Sequence, residues 1–286
     1  MTTEISAPYS SITYEVTERI ATLTLNRPEA HNGYTLTMAS ELEHAFKAAD
    51  ADPEVFVVIL TAAGKDFCVG ADLSGGGFDV NEKSAGDDWQ EPAGRCSKTI
   101  YGMNKPVIAA LRGIAVGGGL TITLSCDFRL ASHDSRFGFP FSRRGIFPEG
   151  GSTWYLPRLV GVTRASDWML TGRIFGAEEA LSAGLVTSVH APEDVLGAAN
   201  DLAHDLIKNT SEVSNAVIKQ MLNRLSGLET PYTAHSVDSR LIAGLPTHQD
   251  AVEGVKSFLE KRHPDFPLSV PQDLPAWLPW IDGERS

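Results

Sequence analysis

Two stretches decide the fold of this chain: Phe67-Cys68-Val69-Gly70-Ala71-Asp72-Leu73 and Val107-Ile108-Ala109-Ala110-Leu111-Arg112-Gly113-Ile114-Ala115-Val116-Gly117-Gly118-Gly119. In each case a glycine-bearing loop follows an apolar, β-type run. Because glycine carries no Cβ, the backbone N–H groups of such loops stay accessible. Two of these loops brought together can present two donors to one oxygen. Such donors stabilise a developing oxyanion, each by about 2.7–4 kcal/mol in the transition state.

The segments around these loops alternate between strand-like and helical patterns. Uninterrupted runs of β-branched residues indicate strands that are buried on both faces. Thr35 or Thr37 is suited to cap a helix whose apolar residues follow at helical spacing. This order predicts an α/β architecture with right-handed crossovers. The predicted strands are Ile12–Val16, Ile20–Leu25, Val55–Leu60, Val107–Leu111, Phe128–Ala131 and Val186–His190.

Beyond about Gly150 the pattern is helical apart from the last of these strands. The predicted helices are Arg164–Leu170, Ala177–Ala183, Asp194–Ile207, Val213–Leu225, Pro231–Ile242 and Gln249–Arg262. The tail Pro267–Ser286 contains Trp277 and Trp280, so we expect it to pack on a neighbouring surface.

Charge and cysteine content restrict the function classes. The formal net charge of −12 argues against nucleic acid or an anionic membrane as a partner, since both bind positively charged protein surfaces. No run approaches the roughly 20 apolar residues of a membrane span. The three cysteines are too few and too scattered for a disulfide framework or a zinc site, so we expect buried thiols, no metal and a cytoplasmic location.

The chain resembles the crotonase (enoyl-CoA hydratase/isomerase) superfamily over about residues 12–266. The matching motifs, in order, are Leu25-Asn26-Arg27-Pro28, Phe67–Leu73, Lys105–Ala110 with Gly117-Gly118-Gly119, Cys126-Asp127, Gly145-Ile146-Phe147-Pro148-Glu149-Gly150-Gly151, Leu170–Arg173, Ala183–Val186 and Phe258–Arg262.

That resemblance implies an α/β crotonase (ClpP/crotonase-like) fold, a spiral of ββα units with a C-terminal helical trimerisation region. We expect a core at residues 1–200, a helical oligomerisation segment at 201–266 and a tail at 267–286. The family also implies acyl-CoA substrates, a homotrimer or a hexamer of two trimers, and no cofactor, since coenzyme A is part of the substrate.

By the same resemblance, the backbone N–H groups of Ala71 and Gly118 form the oxyanion hole for the thioester carbonyl. Gly118 is expected to open a helix, whose dipole would strengthen its N–H as a donor. The candidate substrate-binding residues are Arg27, Val69, Gly70, Asp72, Leu73, Gly117, Thr121, Phe141, Phe258 and Lys261.

Family hydratases carry two glutamates, but the matching positions here hold Thr121 and Phe141. Neither supplies the carboxylate that hydration needs. A carboxylate does occur at Glu149, at the position where the family's isomerase branches use an acidic residue for proton transfer. We therefore predict a double-bond isomerase of the Δ3,Δ2-enoyl-CoA type with Glu149 as proton shuttle. Glu149 is alternatively a charge that caps the helix beginning near residues 150–153.

Two other functions remain open. The chain could be an enoyl-CoA hydratase of fatty acid or aromatic acid degradation whose missing carboxylates are replaced by other groups, such as the acidic segment Asp79–Glu91. It could also be an inactive acyl-CoA-binding protein whose tail docks a partner. The segment Ser74–Pro92 reads equally as a mobile lid or a surface insertion, and Phe139 and Phe141 as acyl-pocket or core residues.

Overall fold

The computed structural model describes residues 9–74 and 89–281. Most of the predicted loop 74–92 and the last part of the tail therefore lie outside the described residues.

A six-stranded sheet in the order β1-β2-β3-β4-β6-β9 forms the centre of the chain. Its first two strands make the predicted antiparallel hairpin, and the other neighbours pair in parallel. The strands are β1 (Ile12–Thr17), β2 (Ile20–Leu25), β3 (Val57–Ala62), β4 (Val107–Leu111), β6 (Phe128–Ser132) and β9 (Ser188–His190).

The central strands are apolar throughout because both of their faces are covered. Val58 and Leu60 of β3 face one core with helix α1 (Leu36–Ala51), whereas Val57 and Ile59 face a second core with helix α7 (Val195–Asn209). This burial on two faces explains why β3 shows no alternation of polar and apolar residues.

A second sheet of three strands, which the sequence analysis did not predict, lies beside the first in the order β5-β7-β8. Its strands are β5 (Ile114–Val116), β7 (Arg136–Gly138) and β8 (Ile174–Gly176). The expectation that only one strand follows residue 150 is therefore wrong, since β8 does so too. Three residues are too few to reveal the alternation of polar and apolar residues that identifies a strand in a sequence. These strands form because they pair with one another across the sheet.

The helices agree with the prediction within a few residues, with one addition. Thr35 caps α1 by accepting a hydrogen bond from the Met38 N–H over 3.1 Å. The addition is α2 (Pro92–Gly102), which begins with proline at its first position. The others are α3 (Gly118–Thr121), α4 (Ser152–Val160), α5 (Val162–Thr171), α6 (Ala177–Ser182), α8 (Glu212–Leu225), α9 (Tyr232–Gly244) and α10 (Gln249–Glu260).

The described part of the tail packs against the C-terminal helices, as expected from its tryptophans. Val270 and Leu278 are buried in a third apolar cluster with Val213 of α8 and Val237 of α9. The Arg240 guanidinium lies 4.1 Å from the centre of the Trp277 ring. The domain boundaries themselves stay predictions.

Candidate active site

The two glycine-bearing loops meet at the edge of the smaller sheet. Cys68 donates its N–H to the Ile114 carbonyl over 2.9 Å, and Val116 donates back to the Cys68 carbonyl over 3.0 Å. Ala71 forms a further bridge with Tyr34, just before α1. The loop that follows β3 is thus fixed along β5 by backbone hydrogen bonds.

Glycine is required where the loops touch. Gly117 adopts a φ of 53°, in the region that favours glycine. A Cβ on Gly119 would lie 2.4 Å from the Cβ of Cys68, well inside van der Waals contact. The glycine run therefore lets one loop approach the other as well as leaving its amides accessible.

The backbone N–H groups of Ala71 and Gly118 at this junction have no acceptor within the described part of the chain, and both residues line the same cavity. Gly118 opens α3 as expected, but this helix is one turn long and continues as a 3₁₀ turn at Ile122–Ser125. A full helix dipole is consequently not available at Gly118. The N–H hydrogen bond itself would contribute more than the dipole to stabilising a negatively charged oxygen.

The cavity has a volume of about 1090 Å³ and a mainly apolar wall. Phe141 and Ile146 form part of that wall, and Phe147, Leu73 and Ile174 are exposed large apolar residues among those that line it. Its size and lining suit a ligand with a substantial apolar portion.

The carboxyl group of Glu149 lies against Gly118. A Cβ on Gly118 would lie 3.5 Å from Glu149 Oε1 and 3.6 Å from Oε2. The Thr121 hydroxyl donates to Oε1 over 2.8 Å. Among the described residues the Glu149 side chain accepts from Thr121 and not from the N–H groups that begin α4, whose N-cap is Gly151; the charge effect of Glu149 on that helix stays a prediction.

Burial and a neighbouring carboxylate give Glu149 an unusual proton affinity. Loss of solvation, followed by the charge of Glu91, raises the pKa of Glu149 to about 7, and the Thr121 hydrogen bond opposes this shift. Near neutral pH the group is therefore present in both its acid and its base form, as proton transfer in both directions requires.

Glu91 is the site residue that the sequence analysis did not single out. It is the N-cap of α2 and lines the cavity with Glu149. Its Oε1 accepts a hydrogen bond from the Gly150 N–H over 2.7 Å. The pair Glu91-Pro92 could have indicated the start of this helix, because proline is favoured at the first position of a helix and an acidic residue is favoured at its N-terminus.

Comparison with known proteins agrees with this architecture. The family model described as enoyl-CoA hydratase/isomerase matches residues 15–268. The chain belongs to the enoyl-CoA hydratase/isomerase family. It therefore has the crotonase fold.

Individual members of the family are similar over most of their length. An enoyl-CoA hydratase of Alternaria alternata (ACTT3) is 36% identical over 248 residues, covering 86% of this chain and 82% of the relative. A crotonyl-CoA hydratase of Syntrophomonas wolfei is 34% identical, covering 90% and 98%. The crystal structure of a probable enoyl-CoA hydratase/isomerase from Mycobacterium abscessus has 32% identity, a TM-score of 0.81 and coverage of 89% and 98%.

Most of the residues predicted from the crotonase resemblance lie together. The cavity wall includes Val69, Gly70, Ala71, Asp72, Leu73, Gly117, Gly118, Phe141 and Glu149. Phe139, by contrast, is a buried core residue, and its ring centre lies 6.5 Å from that of Trp168 and 6.4 Å from that of Phe175.

Four predicted residues are not on the wall that the described residues form. Thr121 is fully buried behind Glu149. Arg27 forms an ion pair with Asp72 over 2.9 Å and donates to the Gly33 carbonyl, so it braces the first loop. Phe258 and Lys261 lie at the end of α10, where Phe258 is 81% exposed.

The remaining sequence expectations concern metals, thiols and membranes. In residues 9–74 and 89–281, no three His, Cys, Asp or Glu side chains are grouped so that they could hold a metal ion. The three cysteines are free and buried, and burial raises the pKa of each thiol to about 12. None of the described helices combines the length and the apolarity needed to cross a membrane.

Proposed function

We propose that this protein is an enoyl-CoA isomerase, which moves the double bond of a 3-enoyl-CoA to the 2-position. The observation that supports this most is the position of Glu149. It is a partly buried carboxyl with a pKa near neutrality, and it lies against Gly118 in a mainly apolar cavity.

The proposed reaction starts with removal of a proton from C2 of the thioester by the Glu149 carboxylate. The electron pair left on C2 delocalises onto the thioester oxygen and across the former C3–C4 double bond. The N–H groups of Ala71 and Gly118 donate hydrogen bonds to that oxygen, which is where negative charge develops. Glu149 then returns the proton at C4, so that the double bond lies between C2 and C3 and no atom is gained or lost.

One carboxyl suffices for this reaction because the same group serves as base and then as acid. A pKa of Glu149 close to the working pH favours both steps, since neither form has to be generated at large cost. The apolar wall around Phe141 and Ile146 suits the acyl chain and excludes water from the dienolate.

Hydration of a 2-enoyl-CoA is the second candidate. A specific observation favours it, namely that Glu91 places a second carboxyl beside Glu149, and the similar proteins of Alternaria alternata and Syntrophomonas wolfei carry hydratase names. Hydration needs one group that takes a proton from water and one that protonates C2. An inactive acyl-CoA-binding protein has less need of two unpaired amides.

The broader expectations accompany this proposal. Coenzyme A enters as part of the substrate and no further cofactor is required for either reaction. We expect a trimer or hexamer, located in the cytoplasm.

The test compares wild type with Glu149→Gln on a 3-enoyl-CoA, following formation of the conjugated 2-enoyl-CoA by its absorbance. Glutamine keeps an oxygen that can accept from Thr121 but cannot take a proton. We expect kcat to fall by about 10²–10⁴-fold with little change in KM. Glu178→Gln, an exposed glutamate on α6, serves as the matched control and should retain full activity.

The same samples should be assayed on 2-enoyl-CoA for loss of the conjugated absorbance. Hydration without isomerisation would replace the first candidate by the second. Tight binding of a CoA ester without turnover of either substrate would favour the remaining function, an inactive acyl-CoA-binding protein.

A further inference from the structure

A second carboxyl, Glu91, lies beside Glu149 and has no part in the isomerisation described above. The two residues come from different elements, since Glu91 precedes α2 and Glu149 precedes α4. Glu91 accepts a hydrogen bond from the N–H of Gly150, the residue that follows Glu149, and both glutamates line the cavity, so the two carboxyl groups are neighbours. Two carboxyl groups can hydrogen-bond to each other only when one of them carries a proton.

The side chain of Glu91 is held in one place. Oε1 accepts the Gly150 N–H over 2.7 Å, and it lies over the first turn of α2, where a Cβ on Gly94 would be 2.2 Å away. Oε2 is buried and has no hydrogen-bond donor among the described residues. The Glu91 carboxyl is thus fixed beside Glu149 with one oxygen left to share a proton.

No cation neutralises the two carboxyls within the described residues. Arg95, one turn after Glu91, is paired with Glu43, and Arg27 is paired with Asp72. Arg143 and Arg144 line the cavity without an ion pair to either glutamate, and Arg143 donates to the Thr171 carbonyl.

Three further titratable groups that act on the pair are neutral near pH 7. They are Tyr34 before α1, Cys68 in the first loop and Cys96 in α2, and burial raises the pKa of each of them. Two like charges in such surroundings repel strongly, so one proton on the pair is the favoured state.

We propose that Glu91 and Glu149 share one proton and act together as the acid–base unit of the site, with the charge on Glu91 and the proton on Glu149 when hydration begins and the reverse arrangement when isomerisation begins. The Gly150 N–H and the N-terminus of the eleven-residue helix α2 stabilise the charge on Glu91. Thr121 alone donates to Glu149 among the described side chains.

This inference rests on the proposed CoA-thioester site and extends its chemistry to water addition. Glu91 takes a proton from a water molecule as the water oxygen bonds to C3 of a 2-enoyl thioester. Glu149 gives its proton to C2, and the shared hydrogen bond then returns a proton from Glu91 to Glu149. The net change is one water added, and the pair is restored to its starting state.

Glu91→Gln tests the proposal, because glutamine retains an oxygen for the Gly150 N–H while removing the charge and the proton acceptor. Difference infrared spectroscopy over a pH series follows the carboxylic-acid C=O stretch of Glu149, assigned by its loss in Glu149→Gln. In Glu91→Gln this band should disappear at lower pH than in wild type. The pH midpoint of any turnover should move in the same direction, and hydration should fall by about 10²–10⁴-fold.

An unchanged infrared titration in Glu91→Gln would overturn the proposal and leave Glu91 as an anchor for Gly150. A shifted titration with hydration maintained would overturn the part that assigns water activation to Glu91. The infrared measurement needs no substrate, so failure of the enoyl-CoA assignment would appear separately, as absence of turnover in wild type. Glu178→Gln is again the control and should match wild type in both measurements.

Discussion

Thr121 tunes the proton affinity of Glu149 in the direction opposite to burial. Its hydroxyl donates to Glu149 Oε1 over 2.8 Å and thereby stabilises the ionised carboxylate. The residue at this position supplies no acid or base, yet it decides how much of Glu149 is ionised at a given pH.

Thr121→Val should therefore raise the pKa of Glu149, because valine keeps the shape of threonine and removes the donor. Turnover that depends on ionised Glu149 should fall several-fold at pH 7 and recover at higher pH, as measured by a kcat–pH profile. Thr121→Ser keeps the hydroxyl and should reproduce the wild-type midpoint. Identical profiles for Val and wild type would show that the hydrogen bond has no influence on the ionisation.

The sequence predicted Glu149 and the amides of Ala71 and Gly118 because each lies inside a short motif whose chemistry is local. Glu91 entered the prediction only as the end of the acidic segment Asp79–Glu91, because its significance depends on Glu149, which is distant in the chain and close only in the folded protein. The contribution of a second carboxylate to the pKa of Glu149 could not be predicted without the fold.

At the scale of elements, the same distinction between local and distant contacts applies. The long strands and amphipathic helices were predicted within a few residues because their patterns are repeated several times. The three-residue strands β5, β7 and β8 exist only through their pairing with one another. Yet β5 is the strand that holds the first loop and leads into the glycine run, so the site depends on an element without a sequence signal.

Gly119→Ala tests how closely β5 and the first loop must approach. The new Cβ would lie 2.4 Å from Cys68 Cβ and 2.9 Å from the Cys68 carbonyl oxygen, so one loop must move. We expect a loss of about 1–3 kcal/mol in the free energy of unfolding, together with a larger loss of kcat from displacement of the two amides.

The matched control is Gly197→Ala in α7, where a Cβ meets no atom within 4 Å. It should raise the free energy of unfolding by about 0.5–1 kcal/mol through helix propensity, with unchanged turnover. Denaturant unfolding and kcat on the same samples provide both measurements. Equal stability of Gly119→Ala and wild type would contradict the close-packed junction.

At the scale of the molecule, α10 leaves an apolar face without a partner within the described residues. Val252, Val255 and Leu259 share one side of the helix and are each more than half exposed, next to Phe258. A chain with this face is expected to self-associate, consistent with the proposed trimer or hexamer.

Val255→Glu should therefore lower the oligomeric state measured by sedimentation velocity, because it buries a charge in the interface. Lys208→Glu, an exposed position on α7, introduces a negative charge away from that face and should leave the sedimentation coefficient unchanged. A monomeric wild type at micromolar concentration would contradict the expectation.

The proton affinity of Glu149 also links the site to the stability of the whole molecule. The folded-state pKa of about 7 lies above the unfolded value of 4.5, so the folded chain binds the proton more tightly. This contribution to stability is fully present below pH 4.5 and is lost as the pH rises through 7. The loss amounts to at most about 3 kcal/mol, from the difference between the two pKa values.

Glu149→Gln removes this titration, since glutamine is neutral at every pH. The variant should gain stability relative to wild type between pH 5 and pH 9, by up to about 3 kcal/mol or several degrees in Tm at equal protein concentration. All other titrating groups are common to both proteins, so the difference between the two curves reports Glu149 together with its coupling to Glu91. A difference that stays constant with pH would mean that folding leaves this carboxyl as acidic as in the unfolded chain, and the acid–base chemistry proposed for the site would then lose its physical basis.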